Sequence, residues 1–227
     1  MAYQSKTVLI VASHPDDETL GMGGTIKKHV AKDEAVTVVT MTDGVSAREI
    51  ENNDSAMRTR AIKSASKILG FTWKMAPQFK DNAMDTYPLL EIIKHIEHIK
   101  LKINPDIVYT HCAADLNIDH QLTAKAVLTA FRPQPNEKCT EIRCFEVPSA
   151  TDYGHESITG SFHPNLFVDI YKEWSDKERA LMVYENELRS YPHSRSLDAV
   201  KNLAKLRGNQ VGLHMAEAFQ VLRKIER

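Results

Sequence analysis

A histidine and three consecutive acidic residues follow the first apolar run of this chain. The run Val8-Leu9-Ile10-Val11 leads through Ala12-Ser13 into His14-Pro15-Asp16-Asp17-Glu18. A short buried strand followed by a proline turn would present these side chains at the carboxyl end of the strand, where open α/β sheets bind their ligands. Imidazole and carboxylate groups at that edge predict part of a metal site with a spare base.

A second cluster of the same residue types lies much further along the chain. Asp115, Asn117, Asp119 and His120 follow an apolar segment that ends at His111. Because the carboxyl ends of parallel strands meet at one edge of a sheet, we expect the two clusters to converge.

Two histidines and one aspartate suit a catalytic zinc site. His14, Asp17 and His120 would supply three ligands and leave a fourth position for water, whereas structural zinc sites use four protein ligands. Zinc lowers the pKa of its bound water to about 7. Asp16, which is aimed differently from its neighbour, would take the proton of that water as general base. We therefore expect one Zn²⁺ per chain.

Each cluster also has a purely structural interpretation. Acidic residues at the start of a helix stabilise the helix dipole, so 16–18 could serve that purpose alone. The spacing of 115–119 resembles the start of an EF-hand calcium loop, but His120 and Ala126 replace the glycine and glutamate that such a loop needs. The presence of both clusters at strand ends favours a functional site.

A glycine-rich segment lies within the first predicted helix. Gly21-Met22-Gly23-Gly24 does not complete the Gly-x-Gly-x-x-Gly spacing of a dinucleotide-binding loop. We interpret it as a place where the helix packs closely on the sheet.

Strand and helix patterns alternate over the first two thirds of the chain, which favours βαβ units and a parallel sheet. The predicted strands are Thr7–Ala12, Val36–Met41 and Ile107–Thr110. The predicted helices are Glu18–Val30, Ser55–Leu69, one that starts near Pro88, and His120–Ala130. Beyond Pro133 the patterns predict strands at Ile142–Val147 and Leu166–Ile170 and helices at Glu173–Leu188 and Leu197–Leu206. We interpret this last part as cap elements of the same domain, so that residues 1–227 form a single domain.

The composition argues against several classes of protein. A hydrophobic content of 42% in 227 residues is enough for a large core, and a net charge of −1 gives no basic field for nucleic acid. Cys112, Cys139 and Cys144 form no Cys-x-x-Cys pair, which is typical of reduced thiols. The first residues lead directly into a predicted strand and no apolar stretch is long enough to span a bilayer, so we expect neither a signal peptide nor a transmembrane segment. We therefore expect a cytoplasmic protein without a nucleic-acid partner. Its oligomeric state is open, and the sequence is compatible with a homo-oligomer.

The two clusters resemble the motifs of the PIG-L/LmbE-like deacetylases. The segment 12–18 resembles their opening motif, and Asn117-Ile118-Asp119-His120 resembles their second motif. The likeness continues in Asp43-Gly44, Ile68-Leu69-Gly70, Val147-Pro148-Ser149 and Ala216-Glu217-Ala218-Phe219. The resemblance implies a Rossmann-like α/β fold, one zinc ion, and hydrolysis of the N-acetyl group of an amino-sugar derivative such as an N-acetylglucosamine conjugate.

The resemblance also implies roles for individual residues. His14, Asp17 and His120 match the zinc ligands of the family, and Asp16 matches its general base. Asp119 matches the aspartate that precedes the third ligand, and we count it as catalytic.

The chain departs from the family at Asn117, where several members have a histidine that assists catalysis. An asparagine side chain does not titrate near neutral pH, so Asn117 would contact the substrate or a neighbour through hydrogen bonds only. The general acid could then be Asp16 itself, His111, His193 or His214.

Two arginines lie in the segment that follows the second predicted strand. Arg48 and Arg58 could bind hydroxyl groups or a phosphate of the substrate, or they could be ordinary surface arginines. The Arg-x-x-Glu motif of the family appears here as Arg58-Thr59-Arg60-Ala61, without the glutamate.

The sequence thus predicts a zinc-dependent N-deacetylase, a hydrolase of a linear amide C–N bond. One alternative is a hydrolase of a non-acetyl amide, which would differ only in the acyl pocket. The other is a non-catalytic sugar- or nucleotide-binding protein that has retained a metal. The presence of Asp16 argues against the second alternative, because binding alone requires no base.

Overall fold

The structure is a computed structural model that describes residues 5–47 and 54–226. The strands are β1 (Thr7–Ala12), β2 (Ala35–Thr42), β3 (Thr72–Phe79), β4 (Ile107–His111), β5 (Glu141–Phe145), β6 (Leu166–Asp169) and β7 (Ala216–Lys224). The helices are α1 (Asp17–Val30), α2 (Asp54–Leu69), α3 (Leu89–Ile103), α4 (Ile118–Ala130), α5 (Glu156–Thr159), α6 (Trp174–Met182) and α7 (Leu197–Asn209).

These strands form one sheet in the order β3-β2-β1-β4-β5-β7-β6. Strands β1 to β5 are parallel, whereas β7 runs antiparallel to both β5 and β6. The predicted α/β fold with a mostly parallel, helix-flanked sheet and additional C-terminal elements is confirmed.

Strand β1 lies at the centre of the core because both of its faces are covered. Val8 and Ile10 pack with residues of α1, α2, α6 and α7, whereas Leu9 and Val11 pack with residues of α3 and α4. All four side chains are fully buried. This explains the continuous apolar run, which is typical of a strand covered on both faces.

The direction of the chain across the sheet reverses between β1 and β4. The chain continues from β1 to β2 and β3 on one side, and from β4 to β5 on the other. Such a switch point leaves a crevice at the carboxyl ends of the two central strands. Both predicted motif clusters follow these strand ends.

Helix α1 is broken where it crosses the sheet. Met22 has non-helical backbone angles (φ −151°, ψ 25°) in the middle of the helix. A Cβ atom at Gly21 would lie 2.5 Å from the Phe145 ring, and one at Gly24 would lie 2.7 Å from Ile170. The glycine-rich segment therefore allows close packing, as predicted from its sequence.

A buried ion pair joins the two halves of the broken helix. Lys177 Nζ donates to the Leu20 carbonyl oxygen at 2.9 Å, at the end of the first half. The Glu217 carboxylate accepts from the backbone N–H groups of Gly24 (2.9 Å) and Thr25 (2.6 Å), at the start of the second half. Lys177 and Glu217 are themselves 2.7 Å apart. Together they satisfy backbone groups that the break would leave without partners.

The structure differs from the sequence prediction in several elements, including the short helix α5, which was not predicted. Strands β3 and β7 were not predicted; β3 contains Pro77 and lies at the sheet edge, where a strand tolerates proline. Helix α6 ends at Met182 rather than at residue 188. The segment after it turns inward, because Tyr184 and Glu187 make side-chain contacts with residues near the carboxyl edge of the sheet.

Among the described residues, no helix is both long enough and apolar enough to span a membrane.

Candidate metal centre

Two turns at the carboxyl edge position the metal-site candidates. Asp16 adopts a φ of 142° and immediately precedes α1, so that Asp17 begins the helix with its side chain in the crevice. Asn117 is the N-cap of α4, and its side-chain oxygen accepts from the N–H groups of Asp119 (2.9 Å) and His120 (3.3 Å). This cap fixes the first turn of α4, which carries His120.

The three predicted ligands form a nearly equilateral triangle. His14 Nδ1 lies 3.2 Å from Asp17 Oδ2 and 3.2 Å from His120 Nε2, and the last two atoms are 3.3 Å apart. A tetrahedral ion with bonds of about 2.0 Å separates its ligand atoms by about 3.3 Å. The second carboxylate oxygen of Asp17 is buried without a hydrogen-bond partner in the described part of the chain. The donor set and its spacing therefore fit a divalent ion such as Zn²⁺.

Each ligand histidine contacts a carboxylate through its other ring nitrogen. His120 Nδ1 lies 3.0 Å from Asp115 Oδ2, and His14 Nε2 lies 3.0 Å from Asp81 Oδ1 and 3.1 Å from Asp119 Oδ2. Such carboxylate–histidine pairs fix the tautomer and the ring orientation of metal ligands.

Asp119, predicted as catalytic, thus lies behind His14. Its carboxylate also accepts from the backbone N–H groups of Asn82 (2.7 Å) and Met84 (3.0 Å). His14, Asp81 and Asp119 could themselves group around a metal. That arrangement would use His14 Nε2, the nitrogen that keeps the ring proton when Nδ1 is a ligand. We therefore interpret both aspartates as supports of His14.

Opposite charges dominate the electrostatics of this cluster. Burial acts to lower the pKa of His120, but Asp17 and Asp115 raise it to about 9. Burial likewise opposes a charge on His14, yet Asp17 and Asp119 hold its pKa well above the usual value. Burial would raise the pKa of Asp17, but the two imidazoles hold it well below the usual range. A metal must therefore displace protons from the histidines, and its binding depends on pH.

His111 packs directly against His120, one of the three predicted metal ligands. Its ring stacks on that of His120, with centroids 3.8 Å apart, and its Nε2 accepts from the Ser13 N–H at 2.8 Å. Burial and the neighbouring His120 lower the pKa of His111 well below its usual value, so the ring is neutral. His111 Nε2 also lies 3.4 Å from Asp17 Oδ2, so this buried ring contacts two of the predicted ligands.

The two carboxylate oxygens of Asp16, the residue before the ligand Asp17, have different surroundings. Oδ2 is 3.3 Å from Arg58 Nη1 and 3.4 Å from Arg195 Nη1. Oδ1 is buried and has no hydrogen-bond partner among the described residues. The backbone N–H of Asp16 donates to Glu18 Oε2 at 3.1 Å, which supports the strained turn. Burial raises the pKa of Asp16, and the two arginines offset part of that effect.

Arg58 is not a surface arginine. It is 7% exposed and contacts Asp16, the Gly44 carbonyl oxygen (3.3 Å) and Glu187 (3.2 Å). A cavity of about 490 Å³ opens beside it and is also lined by Tyr184 and Glu187. Arg48, the other predicted substrate contact, lies outside the described residues.

The remaining candidates for the general acid lie in the C-terminal part of the chain. His193 is half-buried, and its Nδ1 accepts from the backbone N–H of Arg195 at 3.0 Å. His214 packs against Tyr171, with ring centroids 5.0 Å apart. Of the two, His193 lies close in sequence to a residue that contacts Asp16.

Sequence reasoning missed Asp81, Glu187 and Arg195, and assigned no role to Asp115. The position of Asp115 five residues before a ligand histidine was a usable signal, because both lie around the start of one helix. Nothing in the local sequence of the other three indicates a site.

Comparisons with known proteins identify the family of this chain. The model of the PIG-L family, described as GlcNAc-PI de-N-acetylase, matches residues 9–131, more than half of the chain. That range includes the three grouped side chains and Asp16. The fold is thus that of an α/β protein, and the matched family is one of de-N-acetylases. The chain belongs to the PIG-L family.

One curated relative is a probable N-acetyl-α-D-glucosaminyl L-malate deacetylase 2 of Bacillus anthracis, 28% identical over 139 residues. The match covers 58% of this chain and 62% of that relative, less than two thirds of its length.

Solved structures share the fold. The N,N′-diacetylchitobiose deacetylase of Pyrococcus horikoshii superposes with a TM-score of 0.74 at 23% identity, over 97% of this chain and 85% of its own. The 4-carboxy-2-hydroxymuconate hydratase GalB of Pseudomonas putida superposes with a TM-score of 0.73 at 20% identity, over 98% of this chain and 99% of its own. The fold alone therefore does not determine the reaction.

Proposed function

We propose that this N-deacetylase uses one Zn²⁺ ion to remove the acetyl group from an N-acetylglucosamine-like amino sugar. The observation that carries the proposal is the buried triangle of His14, Asp17 and His120 with Asp16 at its side. Family membership supports the reaction class, and the names of the relatives support the class of substrate.

His14, Asp17 and His120 would hold the ion. When bound, Zn²⁺ supplies Lewis acidity toward an amide carbonyl and acidifies a water molecule. The carboxylates of Asp115 and Asp119 keep the histidines oriented with the correct nitrogen toward the ion.

Asp16 would act as the general base, because it directly precedes the ligand Asp17 and its Oδ1 has no hydrogen-bond partner among the described residues. It accepts a proton from the attacking water as the new C–O bond forms. The leaving amine needs a proton when the C–N bond breaks, and we propose that Asp16 or His193 donates it. Asn117 supplies no such proton, because an amide side chain does not titrate near neutral pH.

We propose that substrate hydroxyl groups bind near Arg58 and Asn117. The cavity of about 490 Å³ beside Arg58 is large enough for a sugar residue. Arg48 remains a proposed substrate contact on the strength of its sequence position.

The three cysteines are buried and unpaired, which supports the proposal that the protein works in a reducing compartment such as the cytoplasm.

A substrate panel tests the function. The zinc-loaded protein is incubated with N-acetylglucosamine, N,N′-diacetylchitobiose and N-acetylglucosaminyl malate, and released acetate is measured. N-formyl- and N-propionylglucosamine test the alternative of a non-acetyl amidase. We expect acetate release from at least one N-acetyl compound, lost on chelation and restored by Zn²⁺. Turnover of the non-acetyl amides alone, or of none of the panel, would contradict the proposal.

A further inference from the structure

Two arginines and two carboxylates form a closed ring of ion pairs beside the metal centre. Arg58 Nη1 lies 3.3 Å from Asp16 Oδ2 and 3.2 Å from Glu187 Oε1. Arg195 Nη1 lies 3.4 Å from Asp16 Oδ2 and 3.6 Å from Glu187 Oε2. Only Arg195 is appreciably exposed, at 19% of its side chain, against 6% or less for the other three.

Both guanidinium groups contact the same oxygen of Asp16. Oδ2 has two cationic partners, whereas the buried Oδ1 has no partner in the described part of the chain. Rotation of the carboxylate would break both contacts with Oδ2. The ring of ion pairs therefore determines that Oδ1 is the oxygen without a hydrogen-bond partner among the described residues. We infer that Arg195 is a positioning residue, which holds Asp16 so that Oδ1 alone can accept the proton of the water. This inference rests on the proposed function.

The position of Arg195 is itself fixed from a second side. Its Nε donates to Ser149 Oγ at 2.6 Å and lies 3.4 Å from the Pro148 carbonyl oxygen. Ser149 adopts a φ of 67°, an unusual conformation for a residue other than glycine. Arg195 therefore links two strained turns, the one after β5 and the one at Asp16. Strained backbone of this kind persists where the surrounding structure over-determines it.

Glu187 balances the charge of the ring. Without its carboxylate, two guanidinium groups would lie side by side on a single buried counterion. Buried charges need such partners, because an unpaired one is costly. The segment after α6 thus supplies both Glu187 and Arg195. These two residues complete the ring of ion pairs around Asp16, which lies at the start of α1.

The test compares Arg195→Ala with a matched control. Arg207 is also partly buried in the C-terminal part and pairs with Glu146 at 2.6 Å. In the described part of the chain it has no hydrogen bond or ion pair with Asp16, so Arg207→Ala removes a similar ion pair away from the base. We expect Arg195→Ala to keep its metal and its KM but to lose about 10²-fold in kcat, the scale of a misplaced reacting group. Arg207→Ala should retain the wild-type kcat.

Chemical rescue and a conservative variant separate positioning from general destabilisation. Added guanidinium ion should restore part of the kcat of Arg195→Ala and leave Arg207→Ala unchanged. Arg195→Lys should fold and keep its metal but lose kcat, because an ammonium group cannot bridge Asp16, Glu187 and Ser149 at once. Unchanged kcat in both Arg195 variants, or a defect confined to KM, would overturn the inference.

A crystal structure of Arg195→Ala or Arg195→Lys gives a readout that does not need turnover. We expect the Asp16 carboxylate to rotate, or Oδ1 to gain a protein partner. An Asp16 carboxylate in its wild-type position would overturn the inference. If the wild-type protein deacetylates nothing in the panel, the proposed function fails, whereas the position of Asp16 in the variant still decides whether Arg195 holds it.

Discussion

At the scale of single residues, the site separates binding a metal from accepting a proton. Asp16 and Asp17 are neighbours with the same side chain, yet the backbone turn at Asp16 sends the two carboxylates to different partners. Asp17 meets two imidazoles, and Asp16 meets two guanidinium groups. Substitution of each residue should therefore have a different effect.

Asp16→Asn should keep the metal and lose activity. The amide has a shape similar to that of the carboxylate but cannot accept the proton of the water, so we expect kcat to fall by about 10²–10⁴-fold. Metal content by elemental analysis and acetate release by the variant are the measurements. A kcat/KM equal to that of the wild type would show that Asp16 is not the base. His120→Ala serves as the opposite control, because it should lose most of the metal.

Asp115→Asn should weaken metal binding without removing a ligand. Asp115 accepts from His120 Nδ1 and from Thr151 Oγ1 (2.8 Å), so the amide would disturb the tautomer of His120. The usual loss for such an outer partner is about 10–100-fold in affinity, measured here by competition with a chelator. Asp152→Asn, at an exposed aspartate of the next loop, controls for the loss of a carboxylate. Equal affinities in both variants would contradict this role of Asp115.

At the scale of elements, the break in α1 depends on groups from far along the chain. Glu217 of β7 and Lys177 of α6 bind the two helix ends that meet at Met22. The first of these halves begins with Asp17. The half that carries Asp17 is therefore held at its end by Lys177, which pairs with Glu217 of β7.

Glu217→Ala should strongly destabilise the fold. It leaves the buried Lys177 charge without its partner, and removing one member of a buried pair costs about 3–5 kcal/mol in the free energy of unfolding. Chemical denaturation measures this value. In a Lys177→Met background, Glu217→Gln should cost less, because no charge is left unpaired. Lys201→Met breaks a partly exposed pair with Glu178 (3.7 Å) and should cost at most about 1 kcal/mol. Similar losses in the free energy of unfolding for Glu217→Ala and Lys201→Met would show that the buried Lys177–Glu217 pair does not stabilise the fold in this way.

The sequence contained enough information for the first half of the site but not for the second. Parallel strands bring their carboxyl ends to one edge, so His14, Asp17 and His120 could be grouped from their positions after apolar runs. Arg195 and Glu187 come from irregular segments after α6, where tertiary contacts rather than local periodicity determine the path of the chain. Strand β7 was missed for a related reason, since antiparallel pairing at the far side of a parallel sheet has no local signal.

At the scale of the whole molecule, the crevice concentrates buried charge at one edge of the sheet. Glu18 is fully buried there, and its carboxylate accepts from Thr19 Oγ1, the Asp16 N–H and the Tyr184 hydroxyl. Burial nevertheless raises the pKa of Glu18 to about 7. Burial of the Glu18 carboxyl group at this site therefore lowers the free energy of unfolding at neutral pH.

That cost should appear in the pH dependence of unfolding. A carboxyl group whose pKa is raised on folding stabilises the protein at low pH, and this contribution is lost as pH rises from about 4.5 to about 7. A shift of this size is worth about 3 kcal/mol. In the metal-free protein, the free energy of unfolding should therefore fall less between pH 5 and pH 8 for Glu18→Gln than for the wild type. Glu97→Gln, at a partly exposed carboxylate, is the control. Parallel pH profiles for the wild type and Glu18→Gln would contradict the expectation.

The order of these groups along the chain has a consequence for synthesis on the ribosome. The metal ligands and their supporting aspartates all emerge by residue 120, well before Glu187, Arg195 and Glu217. A nascent chain can therefore carry every metal-binding side chain before it can align them or hold the base. We therefore expect Asp16 to be held as a base only after the chain has been synthesised beyond Arg195.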